Sequence, residues 1–195
     1  MSRSVYRWIG CPAAILMALT ILLFPDVVTP APDSRTCDDR MNHPVCVREG
    51  DAAADFNLRG FDNSLVRLSE LKGTPVLIDF FSVDCSACRQ MLPVITEFAN
   101  RNGDKVRVIL IAIPEPGDRG NVRLKEYFKR NPVPFTLLLD LTGYSTSAWV
   151  PVQDGEAVIP YLFLIDGNGI VRGVAGGIHK SVEAALPAIS SVIAR

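Results

Sequence analysis

The feature that most restricts the fold is an apolar strand that runs directly into two closely spaced cysteines. Residues 75–81, PVLIDFF, hardly alternate between apolar and polar positions. This predicts a strand buried on both faces, and therefore a central strand of a parallel sheet. The motif Cys85-Ser86-Ala87-Cys88 follows where the strand gives way to a helix. A thiol at a helix start meets free backbone N–H groups and the positive end of the helix dipole, which favour the thiolate.

Strands and helices alternate along the rest of the chain. We expect a short strand over 65–68, buried strands over 106–113 and 135–140, a hairpin over 161–174, an amphipathic helix after the cysteines, and helices over 121–130 and 181–194. Ser69 and Asn121 are placed to cap helices. Such alternation specifies an α/β fold with right-handed crossovers. We predict a mixed sheet, parallel at first and antiparallel at its far edge, with helices on its faces.

Length and charge limit the classes of function. A chain of 195 residues suits one globular domain with an appendage. The 20 basic and 21 acidic residues are spread along the chain and give a net charge of −1. Without a basic stripe, nucleic-acid binding is not expected.

The N-terminus has the pattern of a targeting segment. Arg3 and Arg7 precede 17 uncharged residues, 8–24, and prolines crowd the region where a cleavage site would be found. We expect residues 1–25 to be an uncleaved, single-pass anchor in the cytoplasmic membrane, with the remainder on the periplasmic or extracytoplasmic side. Residues 26–53 are predicted to be a linker, and 54–195 the folded domain. Cys11 is taken as a membrane residue without a redox role.

Two further cysteines lie in the predicted linker. Cys37 and Cys46 are separated by eight residues in an exported segment, for which a small disulfide loop is the ordinary interpretation. Two alternatives stay open: a copper site that adds Met41 and His43, and a second redox pair that relays electrons to the first.

The Cys85–Cys88 pair indicates thiol-disulfide chemistry. A Cys85 thiolate could attack a disulfide, and Cys88, one helical turn on, could close the ring and expel the product. Zinc sites also use this spacing, but they need a second pair of ligands, and none follows residue 88. No metal or other cofactor is therefore expected at this pair.

Three segments together resemble the membrane-anchored, thioredoxin-like oxidoreductases of the TlpA type: DFNLRGFDNSLVRLSELKGTPVLIDFFSVDCSAC, the RQMLP that follows it, and VIPYLFLIDGNGIV. The resemblance covers about 54–195 and includes an inserted helix and strand over 121–140. It implies a thioredoxin-like fold, protein disulfides as substrates and a membrane electron donor for re-reduction. It also implies that Cys85 attacks, that Cys88 resolves, and that Pro160 is a cis-proline that exposes the backbone of Ile159 to substrate.

A narrower resemblance concerns the subgroup. The Ser82-to-Cys85 stretch and Pro160-Tyr161 are similar to accessory proteins of methylamine utilisation, which are thought to help disulfide-rich dehydrogenase subunits mature. Cytochrome c maturation reductases form the other subgroup. They typically carry an acidic residue soon after the cis-proline, where this chain has Tyr161.

Two acids precede the cysteine pair in sequence. Asp79 lies in the predicted buried strand, where an unpartnered carboxylate is costly. Thioredoxin has an aspartate at the matching position, which implies that Asp79 is the base for Cys88; an aspartate at a polar edge or bonded to the backbone is the alternative. Asp84 stands where the family usually has tryptophan. We expect its charge to raise the pKa of Cys85 and so to favour electron donation, or its side chain to cap the helix.

The sequence therefore predicts an exported, membrane-tethered enzyme that reduces or isomerises protein disulfides. One alternative is a peroxiredoxin-type peroxidase. That class needs a proline seven residues before its cysteine and Thr or Ser three before, where this chain has Ile78 and Ser82. The other is a copper metallochaperone that uses Cys85 and Cys88, with His43 or His179 as a further ligand.

Overall fold

The computed structural model describes residues 47–115, 117–118, 121–153 and 156–194. The predicted anchor, the greater part of the predicted linker, and Cys11, Cys37, Met41, His43 and Cys46 lie outside the described residues. Within the described ranges, no helix has the length and apolar character needed to span a membrane.

A mixed sheet forms the centre of the domain. Within the described residues it has seven strands, in the order β2-β1-β5-β4-β3-β8-β9, and β6 and β7 form a separate pair. The strands are β1 Asn57–Gly60, β2 Leu65–Arg67, β3 Val76–Phe81, β4 Arg107–Ala112, β5 Thr136–Leu139, β6 Val152–Gln153, β7 Glu156–Ala157, β8 Tyr161–Ile165 and β9 Val171–Gly176. Strand β3 pairs parallel with β4 and antiparallel with β8. The predicted central position of 75–81 and the mixed character of the sheet are confirmed.

The helices are α1 Ser86–Asn102, α2 Val122–Arg130, α3 Tyr144–Trp149, α4 Val182–Ala185 and α5 Ile189–Ile193, with a 3-10 helix at Leu68–Leu71. Helix α3 was not predicted. The prediction of one helix over 181–194 is wrong, because α4 and α5 are separate. Pro187 lies between them, and proline lacks the N–H that a continuing helix would use. The Ser181 hydroxyl caps α4 by accepting from the N–H of Ala184 at 3.1 Å.

Neither of the two predicted capping side chains, Asn121 and Ser69, makes a capping hydrogen bond, although Asn121 does occupy the N-cap position of α2. Asn121 precedes α2 in a left-handed conformation, with φ of 57°, and its side chain makes no capping hydrogen bond. The carboxylate of Asp118 instead accepts from the N–H of Arg123 at 3.2 Å. Ser69 lies inside the 3-10 helix, and its N–H and hydroxyl both donate to Asp55. In each case a nearby aspartate is the acceptor that the sequence pattern did not identify.

Strand β3 separates two parts of the core. Its residues Val76, Ile78 and Phe80 belong to one apolar cluster, with Trp149 and Phe163. The alternate residues Leu77 and Phe81 belong to the two clusters that contain α1. Because side chains alternate along a strand, Asp79 lies on the α1 face, between Leu77 and Phe81. The strand thus directs its one acid toward the helix that begins at the cysteine motif.

The folded body begins before the boundary expected at residue 54. Val47 is buried in the same cluster as Ile78. The N–H of Gly50 donates to the carbonyl of Val171 at 2.9 Å, and Ala52 forms an isolated bridge with Ile170. Residues 47–53 therefore pack along the β8–β9 hairpin.

Candidate active site

The two cysteines form a disulfide at the N-terminus of α1. Cys85 occupies the N-cap position, and its Sγ accepts from the N–H of Cys88 at 3.0 Å. Cys88 is fully buried, whereas Cys85 is half-buried. A reacting sulfur from outside can therefore reach Cys85 and not Cys88. The alternative in which Asp84 caps the helix is wrong, because Cys85 holds that position.

The loop before β8 lies against the disulfide. The Ile159–Pro160 peptide bond is cis. The carbonyl oxygen of Ile159 is 3.6 Å from Sγ of Cys85. Pro160 is buried, and its own carbonyl accepts from the N–H of Gly177 at 3.0 Å, which fixes the loop to the end of β9. The backbone at Ile159 is thereby held beside the accessible sulfur.

Asp79 is fully buried in β3, on the face of the sheet that α1 covers. Its neighbours across the sheet are Leu110 in β4 and Leu162 in β8. Within the described part of the chain, neither carboxylate oxygen has a hydrogen-bond partner. Burial raises the pKa of Asp79 well above its ordinary value, and the nearby N–H of Phe80, which falls short of a hydrogen bond, offsets only part of that effect. The alternative of a polar edge is wrong, because Asp79 is fully buried in a central strand of the sheet.

Asp84 is exposed and pairs with Arg123, a residue that the sequence did not identify. Nη1 of Arg123 donates to one carboxylate oxygen at 2.7 Å, and Nη2 donates to the other. These hydrogen bonds, with the positive charge of Arg123, lower the pKa of Asp84. The partners are 39 residues apart in sequence, so no local pattern indicated the contact.

Further contacts hold the loop before Cys85. The Ser82 hydroxyl donates to Glu115, in the loop after β4, and accepts from the N–H of Asp84 at 3.2 Å. The guanidinium of Arg89 donates to the carbonyl of Val83. Ser82 and Val83 are also buried, so the segment that presents Cys85 is fixed at successive residues.

Two residues were considered for the alternative functions: Ile78 for a peroxidase and His179 for a copper metallochaperone. Ile78 belongs to the cluster on the sheet face opposite α1. His179 lies after β9, where its backbone N–H donates to Sδ of Met91 at 3.2 Å and its ring Nε2 is 3.0 Å from the carbonyl of Gly176. In the part of the chain that the structure describes, no three His, Cys, Asp or Glu side chains are grouped so that they could hold a metal ion.

The sequence is similar to those of known redox proteins. The model of the AhpC/TSA family matches residues 49–174. Thiol-disulfide oxidoreductase ResA of Geobacillus thermodenitrificans is 24% identical, over 68% of this chain and 72% of its own. Chloroplastic peroxiredoxin Q of Oryza sativa subsp. japonica is 30% identical, over 74% of this chain and 67% of its own. Methylamine utilization protein MauD of Paracoccus denitrificans is 29% identical, over 63% of this chain and 56% of its own.

A solved structure shares the fold. The structure of a proposed thiol:disulfide interchange protein, DsbE, from Chlorobium tepidum superposes with a TM-score of 0.63 at 26% identity. The superposition covers 75% of this chain and 99% of the other. The α/β architecture is thus thioredoxin-like.

Proposed function

The chain belongs to the AhpC/TSA family and is a thiol-disulfide oxidoreductase of thioredoxin-like fold, and from this premise we propose that it is an exported, membrane-tethered enzyme that reduces or isomerises disulfides in protein substrates. One observation carries the proposal: an accessible Cys85 is joined to a fully buried Cys88 beside the cis peptide of Pro160. This asymmetry separates an attacking sulfur from a resolving one.

The proposed reaction starts from the reduced pair. The Cys85 thiolate attacks one sulfur of a substrate disulfide, which forms a mixed disulfide and releases the first substrate thiolate. The Cys88 thiolate then attacks Sγ of Cys85, so that the Cys85–Cys88 bond forms and the second substrate thiolate leaves. Two electrons pass from the enzyme to the substrate. The backbone of Ile159, beside Cys85, would orient the substrate segment during both steps.

Asp79 is proposed as the base for the second step. Cys88 is buried and must lose its proton before it can attack. Asp79 lies on the face of the sheet that is covered by α1, the helix that contains Cys88. A buried, unpartnered carboxylate gains stability when it accepts a proton. The ionised form of Asp79 would therefore be a strong base for the thiol proton as resolution begins, and this form is populated as the pH rises toward its raised pKa.

Membrane tethering is proposed from the N-terminal sequence. We propose an anchor over 1–25, a linker that ends before the folded body at residue 47, and a disulfide between Cys37 and Cys46, which would persist in an oxidising compartment. An enzyme that donates electrons there needs a membrane electron donor to reduce the Cys85–Cys88 bond again. Alkaline extraction of membranes that contain the full chain should leave it in the pellet. Recovery of the full-length chain in the soluble fraction would contradict the tether.

The proposed substrate is a disulfide-rich protein during maturation, such as a dehydrogenase subunit or a cytochrome c. Similarity to MauD favours the dehydrogenase class. At the position where cytochrome reductases carry an acid, Tyr161 is half-buried, and its ring lies 5.5 Å from that of Phe163. An aromatic side chain packed in this way offers no carboxylate to the site, which again favours the dehydrogenase class.

Trapping of a mixed disulfide tests the division of labour. Cys88→Ser should accumulate a covalent adduct with a protein substrate, because Cys85 can attack but nothing resolves the product. Cys85→Ser should give no adduct, and the double variant serves as the control for non-specific labelling. Adducts are counted by non-reducing electrophoresis of the full chain expressed in its host. Equal trapping by the two single variants, or by neither, would contradict the mechanism.

A peroxidase remains the second candidate, favoured by the 30% identity to peroxiredoxin Q. Its chemistry would need Cys85 alone for the peroxide step, with Ser82 nearby. Ile78 stands where that class has a proline. Peroxide consumption by Cys88→Ser with a thiol reductant distinguishes the two: we expect no consumption above the free reductant, and sustained turnover would establish the peroxidase instead.

A further inference from the structure

An ion pair joins the inserted helix α2 to the loop that presents Cys85. Helix α2 is fixed against the same apolar cluster as Cys88, through its buried residues Leu124 and Phe128. The ring of Phe81, just before this loop, lies 5.3 Å from that of Phe128 and 5.4 Å from that of Tyr127. The first turn of α2 is therefore held close to the redox site.

Both members of the pair are fixed by other contacts. The backbone N–H of Arg123 donates to Asp118, and the N–H of Asp84 donates to Ser82. The planar guanidinium then meets both oxygens of the Asp84 carboxylate. Such two-point contact is geometrically specific, and lysine cannot reproduce it.

The other charged groups around the pair do not replace it. Glu115 and Asp118 face Arg123, and Arg89 faces Asp84. Arg89 is already bonded to the carbonyl of Val83. Of the charged side chains named here, Arg123 alone makes a hydrogen-bonded ion pair with the acid next to Cys85.

We propose that Arg123 is a positioning residue of the redox site, which neutralises Asp84 beside Cys85 and thereby sets the reduction potential of the Cys85–Cys88 disulfide. This inference rests on the proposed function only in that Cys85 is the exchanging sulfur. It changes the expectation for Asp84: the acid does not act alone on the thiolate, and the net charge beside Cys85 is set by two residues from different elements.

The direction of each effect follows from the half-reaction. Two glutathione thiols reduce the protein disulfide, which gives two protein thiols and one glutathione disulfide. An unpaired negative charge beside Cys85 destabilises its thiolate, so the reduced protein is less favoured and the potential falls. An unpaired positive charge beside Cys85 has the opposite effect. Loss of Arg123 and loss of Asp84 should therefore shift the potential in opposite directions.

The test is a double-mutant cycle read by glutathione equilibrium at pH 7 and low salt. Arg123→Gln should lower the equilibrium constant for reduction about threefold, or about 14 mV, and Asp84→Asn should raise it by a similar factor. The double variant should return to within about twofold of the unmodified protein. Arg123→Lys, which keeps the charge, should show a smaller shift than Arg123→Gln.

Arg130→Gln is the matched control. It removes one arginine from the far end of the same helix, where the side chain pairs with Glu126 at 3.9 Å, so its potential should not change. Shifts of the same sign in the two single variants, or an Arg123→Gln potential equal to that of the unmodified protein, would overturn the proposal. The measurement needs no protein substrate, so it is independent of the trapping experiment that tests the function.

Discussion

The buried interior at strand β3 and the exposed rim beside Cys85, which is formed by Asp84 and Arg123, each contain one aspartate. The two aspartates differ in burial, in hydrogen bonding and in the direction of their pKa shift. Asp79, in the interior, is fully buried, and neither of its carboxylate oxygens has a hydrogen-bond partner among the described residues. Asp84, at the rim, is about half exposed and is paired with Arg123. Burial raises the pKa of Asp79, whereas the bonds from Arg123 lower that of Asp84.

From this difference we expect the two acids to have separate tasks in one site. A carboxylate that is destabilised by burial readily takes a proton, which suits a base for Cys88. A carboxylate that is stabilised by pairing remains charged at neutral pH and can act on Cys85 only through its field. Although the two acids are only five positions apart in sequence, we expect them to affect different properties. Asp79 should affect the rate of resolution by Cys88, and Asp84 the reduction potential of the Cys85–Cys88 disulfide.

The largest expected effect is on resolution in the interior. Asp79→Asn removes the proposed base, so closure of the mixed disulfide by Cys88 should slow by about 10²-fold. Rapid-quench measurement of the mixed disulfide with a model peptide disulfide reports this step. Asp84→Asn is the comparison variant and should change the same rate by less than tenfold. If both variants slowed resolution equally, the division between interior and rim would fail.

A second difference concerns pH and stability. The pKa of Asp79 is raised in the folded state, so between the unfolded and folded pKa values the folded protein holds a proton that the unfolded chain has lost. Its contribution is fully present below about pH 4 and is lost as pH rises toward the folded pKa, at about 1.4 kcal/mol per pH unit. Urea unfolding from pH 5 to 7 should therefore show the unmodified protein losing stability relative to Asp79→Asn. Parallel pH profiles would show that Asp79 keeps its ordinary pKa.

A third experiment compares Asp79 with another buried acid. Asp140 is 1% exposed, but its carboxylate accepts from the backbone N–H of Thr146 at 2.6 Å and from its hydroxyl at 2.7 Å. Asp140→Asn should cost about 1–3 kcal/mol of unfolding free energy, because a strong acceptor is lost. Asp79→Asn should instead stabilise the protein at pH 7. The same sign for both variants would mean that Asp79 has a partner after all.

The sequence predicted the buried part of the candidate site but not the ion pair at its exposed rim. The buried position of Asp79 was readable because the apolar run of β3 is continuous and local, and the cysteine motif follows it directly. The mixed sheet followed from similar runs, and the resemblance to the TlpA-type family implied that its fold is thioredoxin-like. Arg123 could not be predicted, because its contact with Asp84 depends on how α2 packs against Phe81, across 39 residues of chain.

The errors in the predicted helices and caps also have physical causes. Helix α3 has six residues, too few for a clear 3.6-residue period. In 181–194 the apolar periodicity suggested one helix, although Pro187 was a local signal for the break that the structure has. Asn121 and Ser69 are ordinary capping residues by type. The carboxylates of Asp118 and Asp55 instead accept from the N–H groups of Arg123 and Ser69, because the chain path brings the carboxylates close to these helix starts.

The smallest expected effect is on folding at the rim. Asp84 and Arg123 are each about half exposed, and exposed ion pairs contribute little to stability because water and salt screen them. Arg123→Gln should therefore shift the melting temperature by less than about 2 °C, since Leu124 and Phe128 hold α2 independently of the pair. Thermal melts in low salt and in about 1 M salt, beside Arg130→Gln, measure this. A fall of more than about 5 °C for Arg123→Gln alone would mean that the pair fixes α2 in place, and that the rim is structural as well as electrostatic.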